Sequence, residues 1–290
     1  MTTEKLSPCK VNLLLNILSK RSDSFHELET VMHPVALYDR LIFEPQREGI
    51  HLTCNLPGLP ADPSNLVFRA ATLFLTSAQR PAGVRIHLEK NIPLAAGLGG
   101  GSGNAATTLL ALNEMFDQPL GWKELIDLAT ALGSDVPFFL QNGPALALGR
   151  GEQITALDPF PVLRGRAFLL IHPGFGIATA WAYRELAKYP EALHGTPGRA
   201  ARLVANLQTG PLEAALPDFY NSLEAPAFPK YPVLQLYQEF LREEGALATL
   251  MSGSGSTTFA VVQDRATGEA LAERFKEKFG SACWTAVVPI

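Results

Sequence analysis

The sequence has little cysteine, no long apolar run and no block of charge of one sign. Three cysteines, Cys9, Cys54 and Cys283, stand among 290 residues, odd in number and with no CxxC pair. That argues against a disulfide framework and fits a reducing compartment. No apolar stretch approaches the ~20 residues that span a bilayer, so no membrane association is expected. The apolar run at residues 11–18 is broken by Asn12 and Asn16 and followed by Lys20 and Arg21. It reads as a strand rather than a signal peptide, and the expected location is the cytoplasm. The net charge is −4 without clustered lysine and arginine, which argues against a nucleic-acid partner. A locally basic pocket for a small anion stays open. The segment His26-Glu27-Leu28-Glu29-Thr30 starts like a zinc-protease helix but has Thr30 where the second histidine must be, so that class is rejected. A nucleophile elbow is missing as well, because Gly100-Gly101-Ser102-Gly103-Asn104 ends in asparagine.

What is present suits a globular chain with a core: 47% of residues are hydrophobic and 18% charged. The length allows two modest domains. Short apolar or alternating runs at residues 10–18, 27–34, 39–44, 50–54 and 84–88 predict strands, and helical spacing predicts a helix over 65–78. A glycine-rich loop then runs into a predicted amphipathic helix whose buried face carries Ala105, Ala106, Leu109, Leu112 and Phe116. A helix over 123–132 and short strands at 136–140 and 145–148 follow. Composition turns to proline, arginine and glycine around residues 158–166, which places a domain boundary there: residues 1–160, then 161–290. The second part reads as a strand at 167–171, helices near 179–188, 198–207 and 232–243, a glycine–serine loop at 252–256, a strand at 258–262, a helix over 267–278 and a final strand near 283–288. Strands followed by helices in both parts indicate an α+β architecture.

The chemistry concentrates in Pro93-Leu-Ala-Ala-Gly97-Leu-Gly99-Gly100-Gly101-Ser102-Gly103-Asn104. Glycine permits positive φ and close approach of a ligand to the backbone. A helix start adds free N–H groups and the positive end of the macrodipole, so the segment suits a polyphosphate. The bland alternative is a tight turn that merely begins a helix. The segment is not a Walker A loop, because no Gly-Lys-Ser/Thr closes it, and the dinucleotide spacing fails at Ser102 and at Asn104. A second loop, Met251-Ser-Gly253-Ser-Gly255-Ser, leads into a strand. Alone it reads as a turn; paired with the first it suits phosphates as well.

Phosphoryl transfer to an alcohol needs a carboxylate for the hydroxyl and cations for the phosphate. Asp135 stands at a predicted helix end within the apolar stretch Gly133-Ser-Asp-Val-Pro-Phe-Phe. It is either a base at a site or a cap for backbone donors, and the segment itself does not choose. Lys10 lies in an otherwise apolar run, where a lysine commonly snorkels to solvent.

Taken in order, Pro8-Cys9-Lys10-Val11-Asn12-Leu13, the loop from Pro93 to Asn104 with Ala105-Ala106, and Met251-Ser-Gly-Ser-Gly-Ser resemble the GHMP kinase superfamily. Phe25-His26-Glu27-Leu28, Asn65-Leu66-Val67, Gly133-Ser-Asp135-Val-Pro-Phe-Phe, Gly149-Arg-Gly-Glu152 and His172-Pro173 narrow the resemblance. They point to the members that phosphorylate a cytidyl-capped polyol of the non-mevalonate isoprenoid route. The resemblance implies a two-domain fold, an N-terminal ribosomal-protein-S5-like domain and a C-terminal ferredoxin-like domain, with the active site between them. It implies ATP and Mg2+ as cofactors, Asp135 as base and Lys10 as its charged partner. It further implies phosphate contacts along Pro93, Gly97, Gly99, Gly100, Gly101, Ser102, Gly103 and Asn104, with Asn65 and Lys90 near the nucleoside. Asn12, His26 and Thr179 would lie at the cytidyl substrate, whose ring would be held between Phe25 and Tyr183, with Trp181 and Phe175 as other choices for the second ring. Stacking of a base on one aromatic ring contributes ~1–3 kcal/mol. Phe25 replaces a usual tyrosine, Gly103 a usual serine and Cys9 a usual alanine. The alternatives are another GHMP kinase, acting on homoserine or mevalonate, and a non-catalytic nucleotide-binding regulator. The magnesium ligands are not assigned, and a monomer or weak homodimer is expected.

Overall fold

A computed structural model describes residues 2–80 and 82–290. The chain forms two compact units, neither of them one continuous stretch. The first comprises the segment ending at Cys9 together with Leu37–Pro93 and Gly99–Asn142. The second comprises Lys10–Ala36, Leu94–Leu98 and Gly143–Ile290.

Two long strands, β1 (Thr3–Lys20) and β2 (His26–Gln46), contribute residues to both units. The first unit adds β3 (Ile50–Cys54), α1 (Leu66–Ser77), β4 (Gly83–Glu89), α2 (Gly100–Met115) and α3 (Trp122–Leu132). Within it, β4 pairs antiparallel with residues 40–46 of β2 and parallel with β3. The runs 27–34 and 39–44, expected as two strands, are one strand. Pro34 lies between the stretch of β2 that pairs with β4 and the stretch, Thr30 to Met32, that takes another partner, so its missing N–H interrupts neither ladder.

Helix α2 departs from its expected one-sided pattern. Its buried residues include Gly103, Asn104, Ala105, Thr108, Leu109, Ala111 and Leu112, which point in all directions. It runs against α1, α3 and the 3-10 helix Pro137–Leu140, and a helix with several neighbours buries more than one face. That 3-10 helix is itself a correction, because a strand was expected at 136–140. Pro137 at its first position fixes φ and lacks the donor a ladder would use, and all four of its residues are buried.

The second unit adds β5 (Ala145–Leu148), β6 (Gln153–Ala156), β7 (Ala167–His172), α4 (Thr179–Glu185), α5 (Pro190–Leu193), α6 (Arg199–Thr209), α7 (Leu212–Ala215), β8 (Tyr220–Asn221), α8 (Glu224–Lys230), α9 (Pro232–Glu243), β9 (Ala248–Met251), β10 (Thr258–Val262), α10 (Arg265–Phe279) and β11 (Trp284–Pro289). β5 pairs antiparallel with β2 at Thr30–Met32 and with β6. Four strands form an antiparallel sheet in the order β11-β7-β10-β9. All six residues of β7 are buried, His172 as well as the apolar run at 167–171 expected of a central strand. Leu169, Ile171, Ala260 and Val262 join Leu234, Leu241, Leu271 and Phe275 in the core of this unit. Asp264 caps α10 by accepting from Thr267 N at 2.8 Å. Among the described residues, no helix is long and apolar enough to cross a membrane.

Candidate functional site

In the first unit the glycine loop ends at Gly99, the N-cap of α2, in the left-handed region at φ 67°. No side chain caps this helix and its first turn carries no acid. Gly103 N donates to Gly99 O at 2.9 Å, so the helical ladder begins there and the N–H groups of Gly100, Gly101 and Ser102 precede it. Gly101 is exposed and Ser102 partly so. A helix start of this kind offers free N–H groups and the positive end of the macrodipole.

Gly103 is buried on the opposite side. A Cβ there would lie 2.6 Å from Pro8 O and 3.0 Å from Ser7 Oγ. The glycine allows β1 and α2 to touch. Gly103→Ser is therefore expected to lower stability by roughly 1–3 kcal/mol, as overpacking does. Urea unfolding monitored by circular dichroism checks this, and an unchanged midpoint would refute it.

Asn65 caps α1: its Oδ1 accepts from Val67 N at 2.9 Å and its Nδ2 donates to Pro60 O at 2.7 Å. Lys90 is nearly buried and ion-paired with Asp39. Its ammonium also donates to Asn104 Oδ1 at 3.1 Å. Asp135 follows the end of α3 and is partly exposed, although Val136 and the 3-10 helix after it are buried.

In the second unit, Lys10 is 2% exposed. Its ammonium donates to Asn12 Oδ1 at 2.5 Å and to Gly97 O at 3.2 Å. Asn12 is oriented in turn, its Nδ2 donating to Thr30 Oγ1 at 2.9 Å. Gly97 O also accepts from Ser252 Oγ at 3.0 Å, and Thr257 N donates to Ala96 O at 3.1 Å. Segment Leu94–Leu98 and the Met251–Ser256 loop are thus bonded together beside Lys10. A Cβ on Gly253 would lie 3.2 Å from Lys10 Nζ, so glycine keeps that approach open.

The Met251–Ser256 loop is held from beneath. Asn221 Nδ2 donates to Met251 O and Gly253 O, both at 2.7 Å. Glu224 Oε1 accepts from Met251 N and from Gln238 Nε2, both at 2.7 Å. Although part of residue 224 reaches the surface, its carboxyl is enclosed, and burial pushes it up to about 7 against the pull of these donors and of Arg242. Because this folded value exceeds the ordinary 4.5, the group's stability contribution is fully present below pH 4.5 and is lost as pH rises through 7. Glu224→Gln keeps the accepting oxygen without the charge. It is expected to raise stability above pH 7 by roughly 1–3 kcal/mol and to flatten the decline between pH 5 and 8. Thermal melts at several pH values test this; parallel curves for the two proteins would count against it.

The same unit carries a rim of rings and charge. Phe25 is 49% exposed, and the Arg150 guanidinium lies 4.6 Å from its ring centroid. The turn between β5 and β6 presents Arg150, with Gly149 and Gly151 both at positive φ. His26 and Tyr183 have ring centroids 5.1 Å apart. Burial, with Lys20 nearby, holds His26 below the usual histidine range. Thr179 lies one turn before Tyr183 on α4, and its Oγ1 is 2.9 Å from Ser254 Oγ. Phe175 and Trp181 both pack on Tyr231.

The family model for the GHMP kinases N terminal domain matches residues 65–143, and that for the GHMP kinases C terminal matches 200–281. A 4-diphosphocytidyl-2-C-methyl-D-erythritol kinase of Syntrophus aciditrophicus (strain SB) is 43% identical over 263 residues, 89% of each chain. The enzyme of that name from Pelotomaculum thermopropionicum is 40% identical, covering 95% of this chain and 94% of its own. A crystal structure of 4-(cytidine 5'-diphospho)-2C-methyl-D-erythritol kinase superposes with a TM-score of 0.83 at 37% identity, covering 99% of this chain and 100% of that one. The chain belongs to the 4-diphosphocytidyl-2-C-methyl-D-erythritol kinase family.

Homoserine kinase from Cytophaga hutchinsonii, at a TM-score of 0.77 and 19% identity, shares the fold with this family member. The two-domain GHMP kinase fold follows from both comparisons. Among the residues expected from this family's pattern, the first unit brings together Lys90, Gly99 to Asn104 and the start of α2, and it also holds Asn65 and Asp135. The second brings Lys10, Asn12 and Gly97 to one cluster and His26 to Tyr183, with Phe25 beneath Arg150. Sequence reasoning passed over Asp39, Asn221 and Glu224, which stand in unremarkable contexts. Arg150 sat within a quoted motif, where its neighbouring glycines were the available signal.

Proposed function

We propose that this protein transfers the γ-phosphate of ATP to the 2-hydroxyl of 4-diphosphocytidyl-2-C-methyl-D-erythritol. The observation that carries the reading is the match at 37–43% identity to kinases of that name over nearly the whole chain. The exposed Phe25 ring with Arg150 above it, and His26 against Tyr183, add chemistry suited to a pyrimidine and its diphosphate. Homoserine and mevalonate offer no ring to stack.

The uncapped start of α2 fits the phosphates of ATP, with Gly100, Gly101 and Ser102 donating backbone N–H groups. Among the described residues no group of three or more His, Cys, Asp or Glu is arranged for a metal. Bound together with ATP, Mg2+ would neutralise charge on the phosphates. Asp135 orients the alcohol and accepts its proton. The alcohol oxygen forms the new bond to the γ-phosphorus as the bond to the bridging oxygen breaks, and ADP leaves. Lys10, aimed by Asn12 and Gly97, offsets the charge developing on the transferred group. Phe25, His26, Thr179 and Tyr183 select the cytidyl end. In function the chain divides near residue 160, glycine loop and base before it and the second glycine–serine loop after it. The matches at 65–143 and 200–281 fall on either side. The protein works in the cytoplasm as a monomer or weak homodimer.

The test is ATP consumption with Mg2+ and three alcohols: the cytidyl compound, homoserine and mevalonate. Turnover confined to the cytidyl compound is expected. Turnover on another alcohol alone would reject the substrate assignment.

A further inference from the structure

Asp39 stands on β2 and is completely buried. Its Oδ1 accepts from Asn91 N at 2.8 Å and from Ile92 N at 2.9 Å, at the entrance to the glycine-rich segment. Its Oδ2 accepts from the Lys90 ammonium and, at 2.9 Å, from Asn104 Nδ2, in the first turns of α2. One carboxylate therefore grips the chain on both sides of the loop that begins at Pro93. Four donors saturate it. Asn104 completes the network by donating to Ser7 Oγ at 3.0 Å.

The arrangement solves an electrostatic problem. The Lys90 ammonium lies 3.3 Å from where a Cβ of Gly100 would be, against the positive end of α2, an unfavourable position for a cation. Burying it there demands a paired anion. With Asp39 in place, the cation and Asn104 become fixed points to which both ends of the loop are tied. The first-turn N–H groups then point in one direction before any phosphate arrives, and such preorganisation raises affinity.

We propose that Asp39 is the positioning residue of the nucleotide half-site, setting the geometry in which α2 meets the phosphates of ATP. This rests on the kinase reading above. Asp39→Asn keeps an oxygen for Asn91 N and Ile92 N but turns an amide toward the Lys90 ammonium and the Asn104 amide, donor against donor.

The experiment is calorimetric titration of the full chain with ATP and Mg2+, followed by steady-state kinetics well below each variant's melting temperature. Asp39→Asn is expected to weaken ATP binding by about tenfold or more, the scale of a lost charge-assisted hydrogen bond. KM for the alcohol substrate stays within about twofold, a split that general loosening would not produce. Asp39 and Lys90 act as one unit, so Asp39→Asn/Lys90→Gln binds ATP no more weakly than the worse single variant. Unchanged ATP affinity in Asp39→Asn, equal losses for both substrates, or additive effects in the double variant would each overturn the proposal. If Asp39→Asn does not fold, Lys90→Gln alone carries the test, with the same selective loss expected and unchanged ATP affinity as the refuting result. The unaltered chain is titrated first. No ATP binding there rejects the kinase reading and this proposal together, whereas normal binding there with an unaffected variant rejects the proposal alone.

Discussion

Asp135→Asn is expected to lower kcat by about 10²–10⁴, the range a positioned proton acceptor contributes, while KM for ATP changes little. The side chain keeps its shape but loses the capacity to take a proton. Its surroundings favour a pure effect on turnover. Gly133 N donates to Ala129 O at 3.2 Å, ending α3, and Val136 N donates to Gly133 O at 3.2 Å, starting the turn that Pro137–Leu140 continues. The backbone that places Asp135 is thus secured by its neighbours. Steady-state and single-turnover kinetics with the cytidyl substrate are the measurement. Because phosphoryl transfer passes through a loose transition state, part of the role of such a carboxylate is orientation. A loss at the lower end of the range would weight the mechanism toward orientation, and full turnover in the variant would remove Asp135 from it.

Gly97→Ala is expected to be the most disruptive small substitution in the second unit. Gly97 sits at φ 77°, a region that costs an alanine roughly 1–2 kcal/mol. Its Cβ would lie 2.0 Å from Ser252 O and 3.0 Å from Gly255 N, both backbone atoms that no rotamer change can move aside. Overpacking of this kind adds about 1–3 kcal/mol, so the combined loss is roughly 2–5 kcal/mol. Under the proposed mechanism the damage also reaches turnover, because Gly97 O accepts from both Lys10 Nζ and Ser252 Oγ. Displacing that carbonyl releases the ammonium from one of its restraints and parts segment Leu94–Leu98 from the second loop. Denaturant unfolding and kcat, measured together, should both fall; a variant with native stability and native turnover would show that the two segments are not locked as described.

Met251-Ser-Gly-Ser-Gly-Ser is ambiguous alone, because the five small residues after Met251 look the same in a plain turn and in a catalytic loop. The structure adds which groups hold it: Asn221 and Glu224 from beneath, with Ser252 bonded to Gly97. The anchors lie about 30 residues away in sequence, and Asn221 sits in a two-residue strand, β8, too short to have a period. Helix α2 is legible in the sequence, but its apolar residues suggest one buried face when most of it is enclosed. Alanine, glycine and threonine give weak contrast between faces, and only neighbouring elements reveal which are covered. The identity of the second ring was open among Tyr183, Trp181 and Phe175. In the structure Tyr183 packs against His26 and the other two against Tyr231.

By itself the sequence determined the α+β class, the phosphate-type glycine segment leading into a helix, and the family, through short motifs spread along nearly the whole chain. These are legible because they depend on local chemistry: glycine's access to positive φ, the period of buried side chains, and a few residue types at fixed spacing. Tertiary structure alone decided that Lys10 is aimed by Asn12 and Gly97, that Gly103 is the contact between β1 and α2, and that Asp39 closes the base of the glycine loop. Each depends on the partners a buried polar or close-packed group finds across tens of residues of chain, and a buried charge or carbonyl must find a partner without its own sequence neighbourhood naming which.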